Sequence, residues 1–241
     1  MPIPLKVGHI DLSFHDASAH EVERILKENG HVIESDTGPH EEMFKRLGRA
    51  EIDILVSAWL PASHDVYLSP IEADVTKITV LYEPYCIWGV PDYVPREIAG
   101  VADLLRPLAL SRMDRLIQGI NPGAGISRFS KAIVEAYGLG QAGYHFETGT
   151  EADCFDRFED AYARREWLII PLWHPQYLHH RYDIRALEEP RGLLGGRDKA
   201  TLVIRNDALG RIAPTALERL SGLYLGNARV SALDDELHLA S

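Results

Sequence analysis

The residues best suited to hold a small ligand are tryptophans that follow apolar segments and precede a proline. Trp59 comes directly after the apolar run 52–57, and a Leu-Pro pair follows it. Trp173 comes after the apolar segment 167–172 and is followed by His-Pro, and Trp88 precedes Gly-Val-Pro. An indole face attracts a cation with roughly 0.5–2 kcal/mol, so several such faces predict a cage for a quaternary ammonium group.

Each of these tryptophans also has a simpler interpretation, which is packing in a hydrophobic core. Core packing is the commoner role for one isolated tryptophan. The arrangement recurs in both halves of the chain, and this recurrence favours ligand binding for Trp59, Trp88 and Trp173. Trp167 begins its apolar segment, and we interpret it as a packing residue.

Two further segments between a strand and a helix offer polar groups. The first lies after the first strand, where Phe14 can form an aromatic wall and Ser13 or His15 a polar contact. The second is a glycine-rich turn whose backbone N–H groups suit an anion such as a carboxylate, because they lie at a helix N-terminus. An ordinary turn with Ser127 as the N-cap residue explains the same sequence equally well. The residues of this turn that we predict to bind the ligand are Gly123, Ala124, Gly125 and Ile126.

Neither a catalytic nor a metal centre is indicated. His174, His179 and His180 lie near Asp183 and include residue types that ligate zinc, but their spacing matches no zinc motif. Hydrogen-bonded or solvated histidines are the default interpretation. The sequence contains no GxSxG or HExxH motif, and nothing indicates a partner for either cysteine. We therefore predict no catalytic residue, no metal and no cofactor.

Composition limits the class of protein. The chain has 241 residues, of which 46% are hydrophobic and 25% charged, which is typical of a globular protein with a sizeable core. Its formal net charge of −11 disfavours nucleic acid as a partner. No stretch approaches the roughly 20 apolar residues that span a bilayer, so we expect no membrane insertion. The N-terminal segment has no signal-peptide pattern, so the chain either stays in the cytosol or begins after a removed signal.

Strand-like and helix-like segments alternate along the chain, which predicts an α/β fold with parallel sheets. A break near residues 106–114 suggests two lobes. We predict that lobe 1 contains residues 1–108, that residues 205–241 return to it, and that lobe 2 contains residues 109–204. Open α/β sheets bind ligands at the carboxyl ends of their strands, so the ligand is expected in a cleft between the lobes.

The order and spacing of several short motifs resemble the substrate-binding proteins of glycine betaine/proline ABC transporters, the OpuAC-like family. The resemblance extends from about residue 5 to about residue 225. The motifs that carry it are Ala50–Ile54 leading into Trp59-Leu-Pro61, Gly89-Val-Pro91 with Tyr93-Val94, Ile120–Gly125 before Tyr137-Gly-Leu139, and Trp173-His-Pro175 before Tyr182–Pro190.

This resemblance implies a type II periplasmic-binding-protein fold, in which two lobes close around the ligand. It implies an aromatic box for a quaternary ammonium group, with Trp59 and Trp173 at aromatic positions on opposing lobes. The segment 123–126 matches a loop that lines the second lobe in this family. Many relatives have a histidine where this chain has Gln176, so His174 or Gln176 is expected to take its place.

The predicted function is a non-enzymatic solute-binding protein that delivers glycine betaine or a related quaternary ammonium compound to the membrane subunits of an ABC importer. The family resemblance implies a periplasmic or other extracytoplasmic location. Choline, carnitine, proline betaine and ectoine remain open as ligands. The alternative is a cytosolic enzyme or ligand sensor on the same two-lobed fold that uses His174, His179 and His180.

Overall fold

The computed structural model describes residues 3–240, with side chains up to residue 239. The strands are β1 (Leu5–Ile10), β2 (Ile33–Gly38), β3 (Ile54–Leu60), β4 (Val75–Tyr82), β5 (Tyr85–Pro91), β6 (Leu116–Gln118), β7 (His145–Glu147), β8 (Ile170–His174), β9 (Ile184–Ala186) and β10 (Lys199–Arg205). The α-helices are α1 (Ser13–Glu28), α2 (His40–Gly48), α3 (Asp65–Leu68), α4 (Pro107–Arg112), α5 (Gly125–Ala136), α6 (Glu151–Ala163), α7 (Leu178–Arg181), α8 (Pro214–Ser221) and α9 (Gly226–Ala240).

The chain divides into two compact units. Unit 1 contains the residues up to Pro84, the tripeptide Pro175–Tyr177 and the residues from Arg197 onward. Unit 2 contains Tyr85–His174 and Leu178–Gly196. The chain therefore passes from one unit to the other at four places along its sequence.

Unit 1 is built on a five-stranded sheet in the order β2-β1-β3-β10-β4. Strand β1 pairs in parallel with β2 and β3, as the alternation of strands and helices predicts. Strand β10 returns late in the chain and pairs antiparallel with both β3 and β4. Because β3 is apolar and buried over its whole length, it forms the centre of this sheet.

Unit 2 differs from the predicted parallel arrangement. Its three-stranded sheet has the order β8-β5-β9, and both pairings are antiparallel. Only the short pair of β6 and β7 in this unit is parallel among the described strands. An apolar run indicates that a strand is buried but carries no information about its direction, so the prediction of parallel sheets is wrong here.

The unit boundaries also lie elsewhere than predicted. Residues 85–108, which we assigned to lobe 1, belong to unit 2, because β5 begins at Tyr85 and pairs with β8 and β9. Residues 199–204, which we assigned to lobe 2, belong to unit 1, because β10 pairs with β3 and β4. Strand pairing defines these boundaries, and pairing between distant segments leaves no local pattern in the sequence.

Two helices begin earlier than predicted. Helix α1 begins at Ser13, so Ser13, Phe14 and His15 lie in its first turn and not in a loop. Phe14 and His15 are buried there, and tertiary packing of this kind extends a helix beyond its local start signals. Helix α5 begins at Gly125, and Ser127 is not its N-cap residue: its Oγ donates a hydrogen bond to the carbonyl of Ile120 at 3.1 Å.

Two expectations from composition can be compared with the described residues. Cys86 and Cys154 are both buried, and no disulfide joins them. No helix within residues 3–240 combines the length and the apolar character needed to cross a bilayer.

Candidate functional site

The first candidate element of unit 1 is the end of β3, which carries Trp59. Two residues earlier, Ser57 adopts a left-handed backbone conformation with φ of 66°. The pairing of β3 with β10 shifts its register opposite this point, between Thr201 and Val203. A bulge of this kind bends a strand and changes the direction of the side chains beyond it. The side chain of Trp59 is 6% exposed.

Hydrogen bonds fix both the backbone and the indole ring of Trp59. The indole Nε1–H donates to the hydroxyl oxygen of Tyr82 at 3.0 Å, and the hydroxyls of Tyr82 and Ser57 are hydrogen-bonded to each other. The backbone N–H of Trp59 donates to Nδ1 of His64 at 2.9 Å. The backbone N–H of His64 donates to the carbonyl of Trp59 at 2.8 Å. Burial raises the pKa of Tyr82, so its hydroxyl is neutral at physiological pH.

Aromatic rings from α1 surround this tryptophan. The ring centroids of Phe14 and Trp59 are 5.3 Å apart, and those of His15 and Trp59 are 5.7 Å apart. His64 stacks against Trp59 at 6.2 Å, with an angle of 23° between the ring planes. The structure therefore brings together Phe14, His15 and Trp59, which the sequence analysis proposed from two separate segments.

His15, beside Trp59, carries little positive charge at neutral pH. His15 is 1% exposed, and its burial, followed by the charges of His64, His40 and His9, holds its pKa well below the usual value of 6.5. Nδ1 of His15 is buried and has no hydrogen-bond partner among the described residues. A neutral imidazole does not repel a cation, so His15 is compatible with a positively charged ligand beside Trp59.

The corresponding candidate in unit 2 is Trp173 on β8. Its side chain is 2% exposed, and its ring lies 5.8 Å from the ring of Phe155 on α6. Strand β8 pairs with β5, where Cys86 lies opposite Trp173. Trp173 is therefore held on a buried strand against an aromatic side chain.

His174 belongs to a stack of three rings in unit 2. Its ring centroid is 4.7 Å from that of Tyr85 and 3.5 Å from that of His179, with an angle of 11° between the two imidazole planes. Nε2 of His179 lies 3.2 Å from the carbonyl of Trp173, to which it donates a hydrogen bond. Burial lowers the pKa of His179 to about 4.

This stacking does not form a metal centre. Imidazole lone pairs lie in the plane of the ring, so those of two parallel stacked rings do not converge on one point. Within the part of the chain that the structure describes, there is no group of three or more His, Cys, Asp or Glu side chains that can hold a metal ion. Stacking therefore accounts for the proximity of His174 and His179.

The glycine-rich segment of unit 2 forms the beginning of α5. The backbone N–H of Ala124 donates to Oδ1 of Asn121 at 3.1 Å, and the side chain of Arg128 donates to the carbonyl of Gly123 at 2.6 Å. The N–H groups of the first helical turn, which include those of Gly125 and Ile126, have no partner inside the helix. They are the groups of this segment that can meet an anion.

Gln176 lies in the tripeptide that belongs to unit 1, although it follows Trp173 and His174 closely in the sequence. It is completely buried, and its backbone N–H lies 3.2 Å from the hydroxyl of Ser231 on α9, to which it donates a hydrogen bond. The structure thus assigns the predicted residues after Trp173 to both units.

Trp88 and Trp167 have contacts typical of packing residues. Trp88 is fully buried, and its indole N–H donates to Oγ of Ser130 at 2.8 Å. Trp167 is 5% exposed, and the guanidinium of Arg112 lies 4.3 Å above its ring. For Trp167 this is the role interpreted from the sequence. For Trp88 the sequence allowed both ligand binding and packing, and packing is the simpler of these interpretations.

The sequence analysis missed several residues that surround these tryptophans. Tyr82 ends a strand that is hydrogen-bonded to β10, and no local pattern connects it with Trp59. Phe155 lies on the buried face of α6, where an apolar residue indicates only packing. His64 lies only five residues after Trp59 in the sequence, so the segment after Leu-Pro could have indicated it as a neighbour of Trp59.

Comparison with known families decides the class of this chain. Residues 3–239 match the family model of the OpuAC domain, described as the substrate binding domain of the ABC-type glycine betaine transport system. The chain belongs to this family. The family predicted from the sequence motifs is confirmed.

Solved structures with the same fold agree with this assignment. The glycine betaine/L-proline-binding protein ProX of Borrelia burgdorferi is 22% identical, with a TM-score of 0.87 over 99% of this chain and 88% of its own. Lactococcal OpuAC in its closed form with glycine betaine is 19% identical, with a TM-score of 0.86 over 99% of this chain and 91% of its own. A choline-binding protein in complex with choline is 15% identical, with a TM-score of 0.79 over 98% of this chain and 84% of its own. These likenesses confirm the type II periplasmic-binding-protein fold.

A curated relative matches over a shorter region. The glycine betaine/carnitine transport binding protein GbuC of Listeria monocytogenes is 21% identical over 108 residues. The match covers 45% of this chain and 36% of the relative.

Proposed function

We propose that this chain is the substrate-binding component of an ABC importer and binds glycine betaine or a related quaternary ammonium compound. The observation that carries the proposal is the match to the OpuAC family over residues 3–239. The aromatic surroundings of Trp59 and Trp173 agree with the chemistry of such a ligand. The protein then acts by binding and release, without catalysis.

In unit 1 the ammonium group contacts the aromatic residues around Trp59. The indole N–H of Trp59 is bonded to Tyr82 and its backbone N–H to His64, so little conformational entropy is lost when a ligand packs against the ring. Each aromatic face in contact with the cation contributes roughly 0.5–2 kcal/mol. Since His15 is neutral, the attraction is not cancelled by a neighbouring positive charge.

In unit 2 we assign Trp173 as the second aromatic contact and the start of α5 as the group that receives the carboxylate of a betaine. The helix N-terminus carries a partial positive charge and free N–H donors at Gly125 and Ile126. Ser13, His174 and Gln176 are assigned as further polar contacts. Trp88 is left out of the proposed contact set, because it is completely buried, whereas Trp59 and Trp173 are 6% and 2% exposed.

This assignment predicts a preference for methylated amines over primary amines. A trimethylammonium group has no N–H donor, so it leaves no hydrogen bond unmade among aromatic rings. A primary ammonium group brings three donors into the same place, and each donor left without an acceptor costs about 1–3 kcal/mol. We propose the small ligand and the membrane subunits of the importer as partners. A binding protein that delivers a ligand to an importer acts outside the cytoplasm, and this is the proposed location.

The proposal is tested by titrating the protein with glycine betaine, choline and carnitine while the tryptophan fluorescence is recorded. Glycine serves as the control, since it keeps the carboxylate and lacks the methyl groups. We expect a saturable change with at least one methylated compound and none with glycine. Absence of a response to all three, from protein whose fold is verified by circular dichroism, would contradict the proposed ligand class.

A further inference from the structure

A short segment of unit 1 is covalently inserted between two parts of unit 2. The chain leaves unit 2 after His174, contributes Pro175–Tyr177 to unit 1, and enters unit 2 again at Leu178. This tripeptide directly follows Trp173 and His174 and contains Gln176, all three of which belong to the proposed ligand contacts. The contacts that hold this tripeptide therefore also affect the position of residues that we propose as ligand contacts.

One face of the C-terminal helix α9 holds this tripeptide by its backbone. The N–H of Gln176 donates to Oγ of Ser231 at 3.2 Å, and the N–H of Tyr177 donates to Oδ2 of Asp234 at 2.9 Å. The ring of Tyr177 packs on the ring of His238 with 3.7 Å between the centroids. The helix residues are three and four positions apart, which places them on the same side of α9.

Asp234 occupies the centre of this contact. Its side chain is completely buried, and burial raises its pKa, while the hydroxyl of Ser13, the ring of His238 and the N–H of Tyr177 favour the charged form. Ser13 is the first residue of α1 and another proposed ligand contact. The buried carboxylate therefore lies beside the beginning of α1 and holds the backbone of Tyr177, which is part of a proposed ligand segment. Nothing in the sequence around Asp234 indicated such a role.

We propose that Asp234, together with Ser231, is a positioning residue for ligand binding. Neither side chain needs to touch the ligand. They fix the backbone of Gln176 and Tyr177, so that this segment presents one geometry before the ligand arrives. The inference rests on the proposed function, because its effect is measured on betaine affinity.

Three variants separate positioning from general stability. Asp234→Ala removes the acceptor for the N–H of Tyr177, whereas Asp234→Asn keeps a carbonyl oxygen in its place. Ser231→Ala removes the acceptor for the N–H of Gln176. The matched control is Glu236→Ala, which removes a carboxylate from the same helix at a position whose side chain is 66% exposed.

Each variant is measured in three ways. Urea unfolding gives the global stability, hydrogen exchange of the peptide covering residues 173–178 gives the local order without a ligand, and fluorescence titration gives the Kd for the methylated compound that the wild type binds. For Asp234→Ala we expect faster local exchange and a Kd raised about tenfold or more, since the buried N–H of Tyr177 loses its acceptor. We expect a smaller rise for Ser231→Ala, partial recovery for Asp234→Asn and no change for Glu236→Ala.

The outcomes distinguish this inference from the proposed function. If the wild type binds none of the methylated compounds, the proposed function and the positioning role fail together. If the wild type binds and the folded Asp234 variants keep its Kd, the positioning role alone is overturned, even where their stability has fallen. If Asp234→Ala does not fold, the decision rests on Ser231→Ala and Asp234→Asn: an unchanged Kd in both overturns the inference.

Discussion

The two proposed aromatic contacts are held in different ways. Trp59 in unit 1 is fixed by polar contacts at three of its atoms: the indole nitrogen to Tyr82, the amide nitrogen to His64, and the carbonyl oxygen, which accepts from His64. Trp173 in unit 2 lies on the antiparallel strand β8 against Phe155, and its carbonyl accepts a hydrogen bond from His179. Unit 1 thus orients the indole ring itself through a hydrogen bond.

This difference implies that the two units contribute differently to binding. A ring that is oriented before the ligand arrives loses little freedom on binding, and its attraction to the cation is retained as affinity. The ring of Trp173 packs on that of Phe155, so its position depends also on the shape of this neighbour. Substitutions that remove polar partners should therefore affect the unit 1 contact most, and the predictions below test that contrast.

The largest effect is expected from removing either proposed aromatic contact. For Trp59→Ala and Trp173→Ala we expect the Kd for the bound betaine to rise about 100-fold or more, because each loses a cation–π contact together with the shape of the site. Isothermal titration calorimetry measures this without relying on tryptophan fluorescence. Trp167→Ala is the matched control, since it truncates a buried tryptophan that we assign to packing.

Comparable losses at Trp59, Trp173 and Trp167 would contradict the cage, because they would point to general destabilisation. Urea unfolding of all three variants identifies such destabilisation, since removing a buried tryptophan costs about 3–5 kcal/mol. Trp59→Phe and Trp173→Phe provide milder substitutions for the case in which an alanine variant does not fold.

Acidification is expected to destabilise the protein through the buried histidines. The pKa of His15 lies well below 6.5 in the folded protein, so between pH 6.5 and that lower value the unfolded chain binds a proton that the folded one does not. The free energy of unfolding must then fall as the pH falls, by up to about 1.4 kcal/mol per pH unit for one such group. Urea unfolding at several pH values from 7.5 to 5 measures this slope.

The variants His15→Gln and His179→Gln divide the pH effect between the two units. The pKa of His179 is lowered to about 4, so its contribution has the same sign. Each variant should flatten the slope of the free energy of unfolding against pH. Only His15→Gln should also reduce the pH dependence of ligand affinity, if the neutral imidazole of His15 beside Trp59 matters for the cation. An unchanged slope in His15→Gln would contradict the assignment of a neutral buried His15.

A smaller effect is expected from removing one hydroxyl. Tyr82→Phe keeps the ring but removes the acceptor of the Trp59 indole N–H, and we expect the Kd to rise about fivefold to tenfold. Tyr144→Phe is the matched control, because the buried hydroxyl of Tyr144 donates to the carbonyl of Leu104 in unit 2 at 3.0 Å. Equal changes of the Kd in both variants would contradict a specific role of Tyr82 in orienting the indole of Trp59.

The fold was predictable wherever a local pattern encodes it. The apolar run of β3 and the glycine after α1, Gly30 with φ of 83°, mark their elements correctly. Strand direction in unit 2 was not predictable, because antiparallel and parallel central strands show the same apolar run. The unit boundary after Pro84 depends on the pairing of β5 with β8, which lies far along the chain.

The residues of the candidate site were likewise predictable only where a local pattern marks them. Trp59 and Trp173 stand out because a bulky aromatic residue precedes a proline at the end of an apolar run. Tyr82 and Asp234 could not be found, because their roles depend on contacts with residues 23 and 57 positions away. Sequence patterns thus indicate candidate ligand contacts more readily than the side chains that orient them.

The smallest effect on affinity is expected at Trp88, which the sequence alone grouped with the other two tryptophans. Ser130→Ala removes the acceptor of its indole N–H inside unit 2, so the free energy of unfolding should fall by about 1–3 kcal/mol because a buried donor is left without a partner. The Kd should remain within about twofold of the wild type, since we place no ligand contact at Trp88. A loss of affinity similar to that of Tyr82→Phe, in protein that is fully folded, would return Trp88 to the proposed contacts. It would also show that unit 2, like unit 1, orients a ligand-contacting indole by a hydrogen bond.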